Sequence, residues 1–263
     1  MPGLHRIVDG AQHAGRPWLV FSNSLATDIS LWEPQVRRFA GRYRILRYDL
    51  RGHGGSPPTG QRRMDAAALA ADLLEVMDSE GIAEAFHVGV SIGALAGIAA
   101  AARQPRRFRA LWLCNANLAT TPASAASLAE RAALAGSRGM GALTALTLDK
   151  WFGRSTPPAA PELRGRIGAM IERTDPASFA AYATGMQVYD FTSTLASLPL
   201  PVTLVAGSAD AEIARQFSAQ AERLSALRLA LIDGAGHLPN AEAPEAFNAM
   251  LDRTLANLLV NAG

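Results

Sequence analysis

The chain has 263 residues, 49% of them hydrophobic, and a formal net charge of only +2 from 25 basic and 23 acidic side chains. That length suits one large α/β domain or two small ones, and the balanced charge with no basic block excludes a nucleic-acid surface. No run of 18 apolar residues exists to span a membrane, and the one cysteine excludes an internal disulfide or a cysteine-based zinc site.

The first fifteen residues are polar, with one short strand predicted around Leu4 to Val8. No apolar stretch precedes His13, so no signal peptide is expected and the default location is cytoplasmic. Trp18-Leu19-Val20-Phe21 reads as a buried strand, ending in Ser22-Asn23-Ser24-Leu25. Leu31, Trp32, Val36, Phe39 and Ala40 carry helical spacing over residues 30–40. Tyr43 to Tyr48 reads as a strand and leads into the glycine-rich loop Asp49-Leu50-Arg51-Gly52-His53-Gly54-Gly55-Ser56. Asp65 to Glu80 is an Ala/Leu-rich helix stopped by Gly81.

Ala85 to Val88 is a further apolar run, followed by Gly89-Val90-Ser91-Ile92-Gly93 and a run of small and apolar residues to Ala102. A serine on a sharp strand-to-helix turn, with glycine two residues to either side, is the G-x-S-x-G nucleophile elbow. Side chains at 89 or 93 would collide with neighbouring elements, and the helix N-terminus aims free N–H groups where an oxyanion would form. Arg107 to Cys114 is the next strand, so Cys114 reads as a buried structural thiol. The alternation of strand and helix implies a mostly parallel central sheet flanked by helices.

From Asn117 to Leu195 the rhythm changes. Helical stretches at 124–135, 140–148, 162–173 and 178–186 follow one another, punctuated by Pro122, Pro157, Pro158, Pro161 and Pro176. The expected organisation is a core of residues 1–116 and 196–263 and a helical cap insertion, 117–195, leaning on it. The α/β pattern resumes with a strand at 202–206, a helix at 213–224, a strand at 227–232 and a closing helix at 244–258.

A serine hydroxyl needs a base to take its proton, and the base needs a carboxylate to hold its tautomer. Asp210 follows the strand ending at Ala206, and His237 follows the strand ending at Ile232, both in loops at carboxyl ends of strands. Ser91, Asp210 and His237 are therefore the expected triad. The rivals are His5, His13, His53 and His87 for the base, and Asp190 or Asp233 for the acid. The oxyanion donors are expected to be the N–H groups of Ile92, after the nucleophile, and of Leu25, after the first buried strand. Trp151, Met186 and Ser24 are candidate pocket residues. No metal ligand set, dinucleotide fingerprint or phosphate loop is visible, so no cofactor or metal is expected.

The chain resembles an α/β-hydrolase over nearly its whole length, and most of all the 3-oxoadipate enol-lactonases. The resemblance rests on Phe21 through Leu25, Asp28 through Trp32, Arg47 through Gly54, the elbow, Leu113-Cys114-Asn115, Lys150-Trp151-Phe152 and Gly234 through Asn240. It implies the α/β-hydrolase fold and hydrolysis of a small ester or lactone by a Ser-His-Asp acyl-enzyme route. C–C bond hydrolysis or perhydrolysis on the same triad, and a non-catalytic binding protein of the same fold, are the alternatives. Ile92 and Ala94 replace a Met and a Gly of the family elbow, and Ala116-Asn117-Leu118-Ala119 stands where the family has Thr and a nearby Arg. With that cation missing, the expectation is that neutral substrates are turned over as well as carboxylate-bearing ones. Lys150 and Arg154 are the cations expected nearest the pocket mouth.

Overall fold

The computed structural model describes residues 3–155 and 158–260. Seven strands form one sheet: β1 (Arg6–Asp9), β2 (Trp18–Ser22), β3 (Arg44–Tyr48), β4 (Ala85–Val90), β5 (Phe108–Cys114), β6 (Val202–Gly207) and β7 (Leu227–Ile232). Their order is β1-β3-β2-β4-β5-β6-β7, and only β1 runs antiparallel to its neighbour. The apolar runs of β2, β4 and β6 are buried at every residue, as strands covered on both faces must be.

Alternate residues feed opposite layers. Val20, Leu46, Leu111 and Leu204 join the core beneath α2 (Ala66–Ser79), α3 (Ile92–Arg103) and α9 (Ala211–Arg223). Leu19, Phe21, Ile45 and Trp112 face α1 (Glu33–Phe39) and α11 (Pro244–Val260). Phe21 stacks on Trp32 at 4.6 Å, and Trp32 leans on Phe247 of α11. The period of two along each strand thus becomes two packed cores.

Between β5 and β6 lie α4 (Pro122–Arg138), α5 (Gly141–Phe152), α6 (Pro161–Arg173), α7 (Pro176–Gly185) and α8 (Thr192–Ser197). The sequence predicts four helices here. The fifth, α8, is too short to show a helical period and starts where Asp190 accepts from the Thr192 N–H and hydroxyl. A short α10 (Pro239–Glu242) is likewise unforeseen, and residues 29–32 form a 3-10 turn before α1. Residue 107 closes another 3-10 turn, so β5 starts one residue later than expected. No described helix is long and apolar enough to cross a membrane.

The glycine-rich loop after β3 ties these layers together. Asp49 is buried and accepts from the N–H groups of Ile29 (2.7 Å) and Gly55 (2.9 Å) and from His5 Nδ1 (2.7 Å). Arg51 grips Asp72 of α2 through Nε and Nη2 at 3.0 and 2.7 Å, with both side chains buried. The Arg51 N–H donates to the Tyr182 hydroxyl of α7 at 3.2 Å. Removing one partner of such a pair strands the other charge in the core. Asp72→Ala should therefore lower the unfolding free energy by about 3–5 kcal/mol. Denaturant unfolding at constant slope checks this, and a loss below about 1 kcal/mol, the surface-pair range, would contradict it.

Candidate active site

The parallel register brings the carboxyl ends of five strands to one edge. Ser22 pairs with Gly89, Val90 with Cys114, Cys114 with Val205, and Gly207 with Ile232. The loops that follow converge there. The chain reverses its direction of travel across the sheet between β2 and β4, and a crevice opens at such a switch point.

Ser91 occupies φ 56°, ψ −120°, a conformation that L-residues avoid. It is held by its N–H donating to the Cys114 carbonyl at 2.8 Å and by α3 beginning at the next residue. The flanking glycines are steric requirements. A Cβ on Gly89 would strike the backbone of Gly93 and Ala94, and one on Gly93 would strike the carbonyls of Ser22 and Asn23. The other two non-glycine residues with positive φ among those described are Ala26 and Asn115. Ala26 follows Leu25, and Asn115 touches Asp210. Backbone strain is thus concentrated around one crevice.

His237 Nδ1 and Asp210 Oδ2 lie 3.0 Å apart, which assigns the proton to Nδ1 and leaves Nε2 as the acceptor. Burial opposes ionisation of Asp210, but the hydrogen bond and charge of His237, aided by Asn115 and Lys150, hold its carboxyl below the usual range. The Trp151 ring stacks on the imidazole at 5.3 Å and 21°. Ser91, Asp210 and His237 all line one cavity of about 180 Å3, small beside the ~300–1,000 Å3 of drug-sized sites. Leu25, Ile92, Ser24, Trp151 and Met186 line it as well.

Asn23 shapes the loop after β2. Its Nδ2 donates to the Tyr48 carbonyl at 3.0 Å, and its Oδ1 accepts from Trp32 Nε1 at 2.8 Å. The backbone N–H groups of Leu25 and Ile92 have no protein acceptor among the described residues. The buried Ser24 hydroxyl also lacks a partner. Three polar groups at the cavity are therefore open to a ligand.

The rival residues lie elsewhere. His53 is buried, shares Nδ1 with the Arg51 carbonyl at 2.9 Å, and is pushed down to about 4 by burial. His87 is buried against the Ser22 hydroxyl at 2.9 Å and is pushed down to about 3. Both stay neutral, and neither lines the cavity. Asp190 accepts from the Thr192 N–H at the start of α8, and Asp233 accepts from the Ser208 hydroxyl at 3.2 Å.

Two residues near the cavity carry parts that the sequence did not reveal. Asn115 Nδ2 donates to Asp210 Oδ2 (3.1 Å) and the Gly236 carbonyl (3.2 Å), and its Oδ1 accepts from the Gly207 N–H (3.1 Å). It joins the ends of β5 and β6 to the loop holding His237. Arg131 of α4 lines the cavity beside Lys150, and Arg154 does not. Ser124, Ser127, Leu128 and Arg131 line it together, at the i, i+3, i+4, i+7 spacing of one helix face, a signal present in the sequence. Arg131 donates to Thr147 Oγ1 at 3.1 Å and lies over Phe179, with its pKa lowered by burial. The Lys150 pKa is lowered by burial and by Arg131, against the pull of Asp210 and Glu212. Neither cation forms a salt bridge among the described residues. Lys150 therefore lies where it was expected, Arg154 does not line the cavity, and Arg131 is a second cation there that was not expected. The cations come from α4 and α5 rather than from the segment after Asn115.

Removing the Asn115 amide takes one stabilising donor from ionised Asp210, so Asn115→Ala should raise the Asp210 pKa. A carboxylate with depressed folded pKa stabilises the fold above its unfolded value of about 3.9, and that stability is lost as pH falls through the folded pKa. The variant should therefore lose less stability on acidification. Carboxyl 13C NMR titration reads the shift, and an unmoved Asp210 would contradict the assignment.

A model of the alpha/beta hydrolase family matches residues 10–250. The 3-oxoadipate enol-lactonase 1 of Acinetobacter baylyi is 30% identical, over 91% of this chain and 88% of its own. The solved enol-lactonase of Burkholderia xenovorans LB400 is 31% identical with a TM-score of 0.85, covering 98% of this chain and 96% of its own. A thermophilic esterase from Thermogutta terrifontis is 25% identical with a TM-score of 0.89, covering 97% and 93%. With the family match spanning most of its length, the chain belongs to the alpha/beta hydrolase family and is a hydrolase.

Proposed function

We propose that the protein is a cofactor-free serine hydrolase of small, carboxylate-bearing esters or lactones. One observation carries this reading: a strained serine, a His–Asp pair and two unbonded backbone N–H groups meet at one small cavity. Ser91 Oγ attacks the acyl carbon as His237 Nε2 takes its proton, and Asp210 stabilises the resulting imidazolium. The N–H groups of Leu25 and Ile92 receive the oxyanion, the latter at the positive end of α3. His237 returns the proton to the leaving oxygen, which stays tethered when the substrate is a lactone. Water, activated by His237, then opens the acyl-enzyme. The helices between β5 and β6 act as the cap, supplying Trp151, Met186, Arg131 and Lys150.

The similar enol-lactonases support the lactone class. The charge of the cavity favours an anionic arm. Two cations with depressed pKa values share it without a salt-bridge partner among the described residues, and a bound carboxylate would offset both their repulsion and the cost of their burial.

A phosphonate ester should label Ser91 stoichiometrically and end turnover, and Ser91→Ala should be inert. An adduct on another serine would contradict the nucleophile. A carboxylate-bearing lactone should exceed its methyl ester in kcat/KM. One charge-assisted contact contributes about 1.5–3 kcal/mol, roughly ten- to a hundredfold. Arg131→Ala and Lys150→Ala should each erode that preference. Equal rates for acid and ester would contradict the anionic class while leaving the nucleophile standing.

A further inference from the structure

Glu242 is the last residue of α10, five positions after His237. Its carboxylate reaches back along the chain. Oε2 accepts from the Gly236 N–H at 2.9 Å, and Oε1 accepts from the Leu238 N–H at 2.8 Å. These are the residues on either side of His237. The His237 N–H itself donates to the Trp151 carbonyl at 3.1 Å. Three consecutive backbone donors are thereby fixed, two by one carboxylate and one by the end of α5. Ser155, just beyond α5, donates its hydroxyl to Glu242 Oε2, the oxygen that accepts from Gly236. The Trp151 ring completes the enclosure by stacking on the imidazole.

This carboxylate is expensive to keep ionised. Burial raises its pKa above the usual carboxylate range, opposed by Ser155, the two backbone N–H groups and the charge of His237. The titratable group facing it is His237, and the insertion contributes only the neutral Ser155 hydroxyl. No Arg or Lys forms a salt bridge with it among the described residues. A neutral side chain could close a loop without that desolvation. A carboxylate closes it more stiffly, because charge-assisted bonds are shorter and stronger, and it adds negative potential beside the ring that must become cationic.

We propose that Glu242 is a positioning residue for His237, and that through Ser155 and Trp151 it joins the helical insertion to the base as one rigid unit. This rests on the reading of His237 as the base. Its consequence is that the end of α5 does not lift away during turnover.

The test compares full-length Glu242→Gln, Ser155→Ala and His237→Ala on a neutral aryl acetate, which makes no use of Arg131 or Lys150. Circular dichroism and Tm establish folding. Glu242→Gln should lower kcat by about a hundredfold with KM little changed, the scale of a misplaced catalytic group. Ser155→Ala should lower kcat less and move the acid limb of its pH profile upward, since ionised Glu242 loses a donor. The downfield proton signal of His237 Nδ1–H should broaden in both. A folded Glu242→Gln with kcat within about twofold of wild type and an unmoved acid limb would overturn the proposal. If that variant does not fold, Ser155→Ala decides alone, and an unchanged kcat and acid limb overturn it. If His237→Ala retains turnover, the base itself is misassigned. If it is inert while the other two match wild type, only the positioning role fails.

Discussion

The site depends on a 3.0 Å hydrogen bond between side chains 27 residues apart, Asp210 and His237. That contact exists only because β6 and β7 end in register, with Gly207 opposite Ile232. A slip of one residue would turn both loops and part the pair. Asn115 guards the register from the β5 side by holding Gly207, Asp210 and Gly236 with one amide. The parallel sheet thus serves as a gauge that sets distances among loops with little structure of their own.

That gauge is loaded with strain and buried polarity. Positive φ at Ser91 and Asn115 persists because each residue is over-determined by its neighbours. Ser91 is locked between the end of β4 and the start of α3, and Asn115 by hydrogen bonds at both ends of its side chain. The buried Asp49 and the Arg51–Asp72 pair stiffen the same edge from beneath. Such groups contribute little net stability for their number. They narrow the arrangements open to the loops above them, which is what a preorganised oxyanion site requires.

Much of this was legible in the sequence, for physical reasons. Apolar runs such as Val202 to Ala206 can only be covered strands, and the glycines at 89 and 93 mark a turn that admits no side chain. Asp210 and His237 stood out because polar, glycine-rich loops follow such strands. Arg131 was hidden because an amphipathic helix does not say which neighbour its polar stripe will meet. Asn115 was visible only as part of a familiar string, since its role needs three loops assembled. Glu242 carries no sequence signal, because its backbone partners cannot be read from spacing. The short α8 and α10 carry no period to detect.

The proposed mechanism needs a nucleophile at Ser91, oxyanion donors from two loops and a cationic wall from α4 and α5. A crystal structure of the enzyme inactivated by a phosphonate bearing a carboxylate arm tests all three at once. The account predicts phosphorus bonded to Ser91 Oγ, the phosphoryl oxygen within hydrogen-bond reach of the Leu25 and Ile92 N–H groups, and the carboxylate against Arg131 and Lys150. A phosphoryl oxygen turned away from those N–H groups, or an arm directed to solvent with both cations unengaged, would contradict it.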